Sequence, residues 1–530
     1  MTLSASPPFT VRDAVFEVLR AFGGTKIFGN PGSTELPMFR NFPTDIEYVL
    51  GLQESVVVAM ADGYAQATRQ VAFVNLHSAA GVGNGMGTIY TAFKNRTPLV
   101  IIAGQQARPI LPFDPFLASD EAVNLPKPYV KWSVEPARAE DVPMAIATAC
   151  HRALQAPCGP ALVSVPSDDW DQPALPVPMR TTSSLIMAEP DAVATMAQAL
   201  ANCEHPAFIA GAEIDRGQAW DEILELAERH QARVFAAAQS SRCAFPEDHP
   251  LYMGVLSSRP EGVVSDLAQC DLVAVIGGAV FTYHIDGQPP YVRPGTQVFQ
   301  ITEDAASAAR AAVGHSLVGS VRLTLRQLLD QPAAPPVRAT PARPPAPPVA
   351  EPDSPMTVAY ALQTLREVRR PGDIIVEEAP SARPVMQVYL PMVAPDSYYA
   401  MASGGLGFGI AAAVGISMAK PDRKVIALIG DGSFMYSLQA VWNAVQQNLN
   451  ITFLILNNRR YGAMDRFGKV LGFPEGEVLP GTQLPGLDFV SLAKGQGCAG
   501  ERLDDPNQLR DALQRSLAIQ GPYLLELVIA

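Results

Sequence analysis

The chain has 530 residues, enough for about three domains. It is 48% hydrophobic and only 17% charged, which excludes global disorder and allows large buried cores. A formal net charge of −13 excludes the basic footprint of a nucleic-acid-binding surface.

Thr10 is a candidate N-cap, and Val11, Ala14, Val15, Val18, Leu19 and Phe22 follow it at helical spacing. Short apolar runs at 26–28, 48–50, 71–76 and 99–103 read as strands, with helix-like segments between them. That alternation predicts a parallel sheet covered by helices. Strand-like runs return at 161–165, 207–209, 234–237, 272–276 and 297–301. Proline is frequent at 173–182, which divides a first domain, 1–180, from a middle domain, 181–330. Residues 331–355, QPAAPPVRATPARPPAPPVAEPDSP, have little to bury and read as an exposed tether. Beyond it, runs at 373–376, 425–429, 451–456 and 524–528 build a last domain, 356–530. The expected fold is α/β: three consecutive doubly wound parallel-sheet domains.

The stretch 401–419 carries no charge over 19 residues, long enough to suggest a membrane span. It opens with Gly404-Gly405-Leu406-Gly407, however, and reads as a loop leading into a buried helix. The six cysteines form no CxxC pair, and no secretory signal opens the chain. Reduced thiols in a cytoplasmic protein follow. The glycine run from Gly81 to Gly87 follows a strand, but the next strand ends in Gly104-Gln105-Gln106 rather than an acid for a ribose. No nicotinamide site is expected there, nor a nucleotide at Val275-Ile276-Gly277-Gly278-Ala279.

The strongest local signal is Gly430-Asp431-Gly432-Ser433 followed by Asn457-Asn458. The first group ends strand 425–429, residues 434–447 can form a crossover helix, and the asparagines end strand 451–456. A βαβ unit puts both strand ends on one rim of the sheet, where ligands of open α/β sheets bind. Asp431 and Asn458 therefore converge although 27 positions separate them. Both offer the hard oxygens that magnesium or calcium requires. The remaining positions fall to a backbone carbonyl, water and phosphate oxygens. The flanking glycines admit a diphosphate to the backbone, and the helix start at Ser433 offers amides for it. Gly-Asp-Gly alone reads as a turn with a capping aspartate; the strand context and the double asparagine change that reading.

The stretch from Gly430 to Asn458 resembles the diphosphate-and-magnesium motif of thiamine-diphosphate enzymes, which starts with GDG and ends with NN. The resemblance implies thiamine diphosphate with Mg2+ (or Ca2+) as cofactors. It implies a third metal ligand in the carbonyl of Arg460, beside Asp431 and Asn458. It also implies cofactor contacts from Leu406, Gly430, Gly432, Ser433, Tyr461 and Gly462. Glu54 alone reads as a glutamate that complements a helix dipole. With the cation motif, and with Ala61-Asp62-Gly63-Tyr64-Ala65 as in the family, it becomes the carboxylate that bonds the aminopyrimidine and promotes loss of the C2 proton. Apolar Val57 and Val58 beside it suggest a dry site.

Gly29-Asn30-Pro31-Gly32-Ser33, Asn75-Leu76-His77-Ser78, Ala103-Gly104-Gln105-Gln106, Val130-Lys131-Trp132-Ser133, Phe281-Thr282-Tyr283-His284 and Gly404 to Phe408 are similar to the benzoylformate decarboxylase branch. That likeness implies a small-molecule aromatic 2-oxo acid as substrate, losing CO2 without oxidation. Ser33 would hold its carboxylate, His77 and His284 would move protons, and Leu406 would bend the cofactor. The substrate pocket would comprise Ser33, Phe116, Leu117, Ala400, Ala463, Met464 and Phe467. Ala400 stands where the family has a phenylalanine, Phe116 where a leucine is expected, and Ala379-Pro380-Ser381 replaces a threonine-rich stretch. The pocket is therefore expected to be differently shaped. A carboligase of the same superfamily is the alternative, and a cofactor-binding subunit without catalysis a remote one. The family also implies a homotetramer with sites at dimer interfaces.

Overall fold

The computed structural model describes residues 9–332, 337–474 and 476–530. It holds three six-stranded sheets, one per segment of chain, and every named strand pairing is parallel. The first contains β1 (Lys26–Asn30), β2 (Glu47–Leu50), β3 (Ala72–Leu76), β4 (Leu99–Gln105), β5 (Trp132–Val134) and β6 (Ala161–Pro166), in the order β2-β1-β3-β4-β6-β5. The middle sheet contains β7 (Pro206–Ala210), β8 (Arg233–Ala236), β9 (Tyr252–Val255), β10 (Leu272–Ile276), β11 (Gln297–Thr302) and β12 (His315–Val318), in the order β12-β11-β10-β7-β8-β9. The last contains β13 (Ile374–Glu378), β14 (Tyr398–Ala400), β15 (Val425–Gly430), β16 (Ile451–Asn457), β17 (Ala499–Leu503) and β18 (Tyr523–Val528), in the order β14-β13-β15-β16-β18-β17. The first and last sheets thus share one topology, each reversing direction beside its first strand. That reversal opens a crevice at the carboxyl ends of the strands.

The central strands are apolar along their length because helices cover both faces. The uncharged stretch 401–419 is a loop and then the buried helix Gly409–Ala419, as expected. This helix crosses the first-domain helix Glu54–Thr68 at backbone contact. A β-carbon at Gly63 would lie 2.2 Å from the Ala412 carbonyl oxygen, and one at Gly415 1.9 Å from that of Met60. Among the described residues, no helix is long and apolar enough to cross a membrane.

Thr10 caps the helix Val11–Ala21 and forms a reciprocal box with Asp13. The crossover read as one helix over 434–447 starts at Asp431 and is split into Asp431–Ser437 and Ala440–Gln446. The proline-rich segment is irregular but does not hang free. Arg338 donates to the carbonyls of Leu200, Cys203 and His230, and Arg343 to those of Glu247 and Asp248. Leu200 and Cys203 lie at the end of the helix Pro190–Asn202, whose last carbonyls need such donors. Residues 333–336 of the tether, and the chain start at 1–8, lie outside the described residues.

A buried ion network joins the three segments. Arg242 bonds Asp215 and Asp396, and Arg69 bonds Asp396 from the first segment. The side chains of Arg242 and Asp215 are each 1% exposed, so each charge depends on its partner.

Candidate active site

The predicted residues fall into two half-sites. One lies on the carboxyl rim of the first sheet. Ser33 is exposed on the turn after β1, Glu54 follows β2, and His77 follows β3. Glu54 opens its helix, but Gln53 caps it, accepting from the amides of Ser55 and Val56. The Glu54 carboxylate is half-buried and accepts from Asn84 Nδ2 at 3.1 Å. Val57 and Val58 are fully buried in the core, while Glu54 itself is only partly buried.

His77 is held by a group that the sequence does not single out. Glu35 is 2% exposed and lies 2.9 Å from His77 Nδ1. Its carboxylate also accepts from the Gly32 amide at 2.8 Å and the Thr34 hydroxyl at 2.6 Å. The Thr34 hydroxyl lies 2.9 Å from the same nitrogen, so a proton on Nδ1 would be shared between Glu35 and Thr34, leaving Nε2 without a partner in this cluster. Glycines make this cluster possible. A β-carbon at Gly32 would fall 2.3 Å from His77 Nδ1, and one at Gly104 1.8 Å from a Glu35 oxygen. Those two glycines are the trace that Glu35 leaves in the sequence.

The other half-site lies on the rim of the last sheet, at the ends of β13, β15 and β16. Asp431 is 4% exposed. One of its oxygens accepts from the Gly432 amide at 2.7 Å, and the other from the Arg460 amide at 3.2 Å. Asn458 Oδ1 accepts from that same Arg460 amide at 3.3 Å, so the two side-chain oxygens converge as predicted. Burial raises the Asp431 pKa against these amides, a cost that a bound cation would remove. The double asparagine divides its work. Asn457 donates to the buried Glu526 and accepts from the Arg459 amide, steadying Arg459 in a left-handed turn (φ 60°). That turn carries the chain from Asn458 to Arg460. Gly462 leaves room for Asn458, since a β-carbon there would lie 2.8 Å from its amide nitrogen. Gly432 likewise admits the Tyr461 ring, 2.2 Å from where its β-carbon would stand.

The described residues contain no group of three or more His, Cys, Asp or Glu side chains suited to a metal. The side-chain donors that converge here are one carboxylate, of Asp431, and one amide oxygen, of Asn458, while the Arg460 carbonyl accepts from the Gly462 amide at 2.9 Å. The two side-chain oxygens fit a hard cation completed by phosphate oxygens and water.

A cavity of about 980 Å³ runs from Asp431, Gly432 and Ser433 past Leu406 to His284 and Phe467. The His284 and Phe467 rings meet edge-on at 4.6 Å between centroids. Ala463 and Met464, on the helix Gly462–Val470 with Phe467, also face it. Ala400 does not. It is fully buried in β14, and its neighbour Met401 reaches the wall instead. The Ala400 amide donates to the Ser241 carbonyl at 3.0 Å, which fixes that strand edge against the middle domain. Gln239, Arg383 and Gln387 add polar groups to the cavity that sequence reasoning misses, because they meet only where the middle and last domains touch.

The cavity wall comes from the middle and last domains alone. Ser33, Glu54 and His77 do not line it, and neither do Phe116 and Leu117. Within one chain the helices Glu54–Thr68 and Gly409–Ala419 pack against each other, and no first-domain residue lines this cavity. Exposed apolar side chains flank both rims: Leu36, Phe113 and Phe116 on the first, Leu471 and Val478 near the second.

Comparison with known proteins finds three matches to family models in chain order. Residues 9–120 match the thiamine pyrophosphate enzyme N-terminal TPP binding domain, 193–328 the central domain, and 381–527 the C-terminal TPP binding domain. A benzoylformate decarboxylase of Pseudomonas aeruginosa is 41% identical over 98% of this chain and 98% of its own. Among solved structures, benzoylformate decarboxylase from Polynucleobacter necessarius is 38% identical, covers 98% of each chain, and superposes with a TM-score of 0.95. A thiamine diphosphate-dependent 4-hydroxybenzoylformate decarboxylase of Rhodococcus jostii is also 38% identical, covers 98% of this chain and 99% of its own, and has a TM-score of 0.94.

Proposed function

The chain belongs to the thiamine pyrophosphate enzyme family, and we propose that it is a carboxy-lyase that converts an aromatic 2-oxo acid, benzoylformate first, to an aldehyde and CO2. The observation that carries this reading is the 41% identity to a benzoylformate decarboxylase along 98% of both chains. Thiamine diphosphate, when bound, supplies the electron sink for the departing carboxylate. The chain's own groups position the reactants and control protons.

In this reading Asp431, Asn458 and the Arg460 carbonyl hold a divalent cation, Mg2+ or Ca2+, against the diphosphate. Gly430, Gly432, Ser433, Tyr461 and Gly462 surround that end. Glu54, oriented by Asn84, shares a proton with the aminopyrimidine. Ser33 receives the substrate carboxylate. His77, with Nδ1 shared between Glu35 and Thr34, offers Nε2 for proton transfer, and His284 offers a second imidazole beside Phe467. Two imidazoles suit protonation and aldehyde release better than carboligation.

The division of the rims supports a site shared by two copies of the chain, in which the first-domain rim of one closes the cavity of the other. The exposed apolar side chains around both rims suit such a cover. A homotetramer built from these dimers is the assembly proposed. The six cysteines are all free, as a reducing compartment such as the cytoplasm would keep them.

The test is a comparison of kcat/KM for benzoylformate, phenylpyruvate and pyruvate, with thiamine diphosphate and magnesium present. Benzoylformate is expected to lead pyruvate by at least about 100-fold, since the Phe467 wall rewards burial of a ring. A preference for pyruvate would overturn the substrate class, and carbon–carbon bonded products as the main output would overturn the reaction.

A further inference from the structure

Glu378, at the end of β13, is 1% exposed. It forms no ion pair among the described residues, because the nearby Arg383 is taken by the adjacent Glu377. A lone buried carboxylate costs folding free energy unless its environment solvates it. Here backbone amides do so: Gly407 donates to one oxygen at 2.7 Å and Gly409 to the other at 2.5 Å. Burial and Glu377 nevertheless push its pKa up to about 7, against the amides of residues 407–409. Its ionised form is thus held at the expense of stability. A group with a raised folded-state pKa stabilises most at low pH, and that contribution is lost as pH rises through its folded value.

The amides it binds belong to the turn that carries Leu406. That leucine lies between two glycines in left-handed conformations, Gly404 (φ +75°) and Gly407 (φ +106°). Two such glycines leave the turn with little intrinsic preference. Gly409 permits the close approach, since a β-carbon there would lie 2.8 Å from Glu378 Cβ. The two-oxygen grip fixes the chain just after Leu406 and anchors it to the start of helix Gly409–Ala419.

We propose that Glu378 is a positioning residue whose carboxylate clamps the Gly404–Gly409 turn and so sets Leu406 on the cavity wall. The proposal rests on the reading of Leu406 as the side chain that supports the cofactor. Glutamine at 378 keeps one acceptor but turns an amide donor toward a backbone N–H.

The experiment compares Glu378→Gln, Leu406→Ala and the double variant as holoenzymes, by amide hydrogen exchange over 403–409 and by steady-state kinetics. In Glu378→Gln the amides of 407 and 409 are expected to exchange at least about tenfold faster, with β13 and β15 unchanged. The kcat is expected to fall about 10- to 100-fold with KM within about threefold, and the double variant to be no slower than Leu406→Ala. Unchanged protection at 407 and 409, or losses that multiply in the double variant, would overturn the clamp. If Leu406→Ala alone keeps full kcat, the reading of Leu406 fails, and the exchange rates still decide whether Glu378 holds the turn. Should Glu378→Gln not fold, Glu378→Asp, charged but shorter, is expected to show the same loosening, and intact protection in it would be equally contrary.

Discussion

Glu54→Gln is expected to lower kcat/KM by about 100- to 10,000-fold while leaving the protein folded. The structure separates the two roles that this glutamate can play. Gln53, not Glu54, caps the helix, and the Asn84 amide that bonds Glu54 can bond a glutamine oxygen equally well. What remains of a structural role is the helix dipole, worth about 0.3–1 kcal/mol at an exposed end. A catalytic Glu54 therefore predicts a large loss of turnover with a change in stability below about 1 kcal/mol. Retained turnover would reduce Glu54 to a dipole partner. A large drop in Tm would show a structural load that the geometry does not contain.

The second large effect is a recovery. Glu54→Gln and Asp431→Ala each disable a different half-site, so each variant alone is expected to be almost inactive. If one copy contributes Glu54 and the other Asp431, a mixed dimer contains one intact site. Random pairing of equal amounts then restores about a quarter of the parental activity, as two-fold symmetry requires. Co-expression of the two variants, followed by the aldehyde assay, measures this. A site assembled within one chain predicts no recovery. The separation of Ser33, Glu54 and His77 from the cavity that Asp431 and His284 line is the observation behind the expectation.

The inside of this fold is legible in the sequence, and its edges are obscure. Central strands such as β4, β10 and β16 are buried throughout and read as continuous apolar runs. The strands that no run marks, β5, β9, β12, β14 and β17, all lie at the edges of their sheets. They are short, and β5, β9, β12 and β17 are partly exposed, so nothing in the apolar pattern announces them. Ala400, placed in the pocket by resemblance to the family's phenylalanine position, sits instead in a buried edge strand that no apolar run marks.

Within the site, Asp431 and Asn458 are legible because a βαβ unit brings two strand ends together by a rule of topology. Glu35 and Glu378 are not. Each acts through a contact that no local pattern encodes: Glu35 meets His77 across 42 positions, and Glu378 meets Gly407 across 29. The tether shows the same limit. Its proline content correctly indicates irregular chain, but Arg338 and Arg343 tie it down by finding carbonyls that composition does not reveal.

In the proposed reaction this chain cleaves the bond between the carboxylate and the ketone carbon of an aromatic 2-oxo acid without oxidation. The most direct measurement is the stoichiometry of CO2 and benzaldehyde released from benzoylformate by the purified protein. It is made with thiamine diphosphate and magnesium, and repeated with either left out. Equal amounts of the two products, dependent on both additions, are expected. Release of CO2 without a matching amount of aldehyde, or release that persists without thiamine diphosphate, would contradict that reaction.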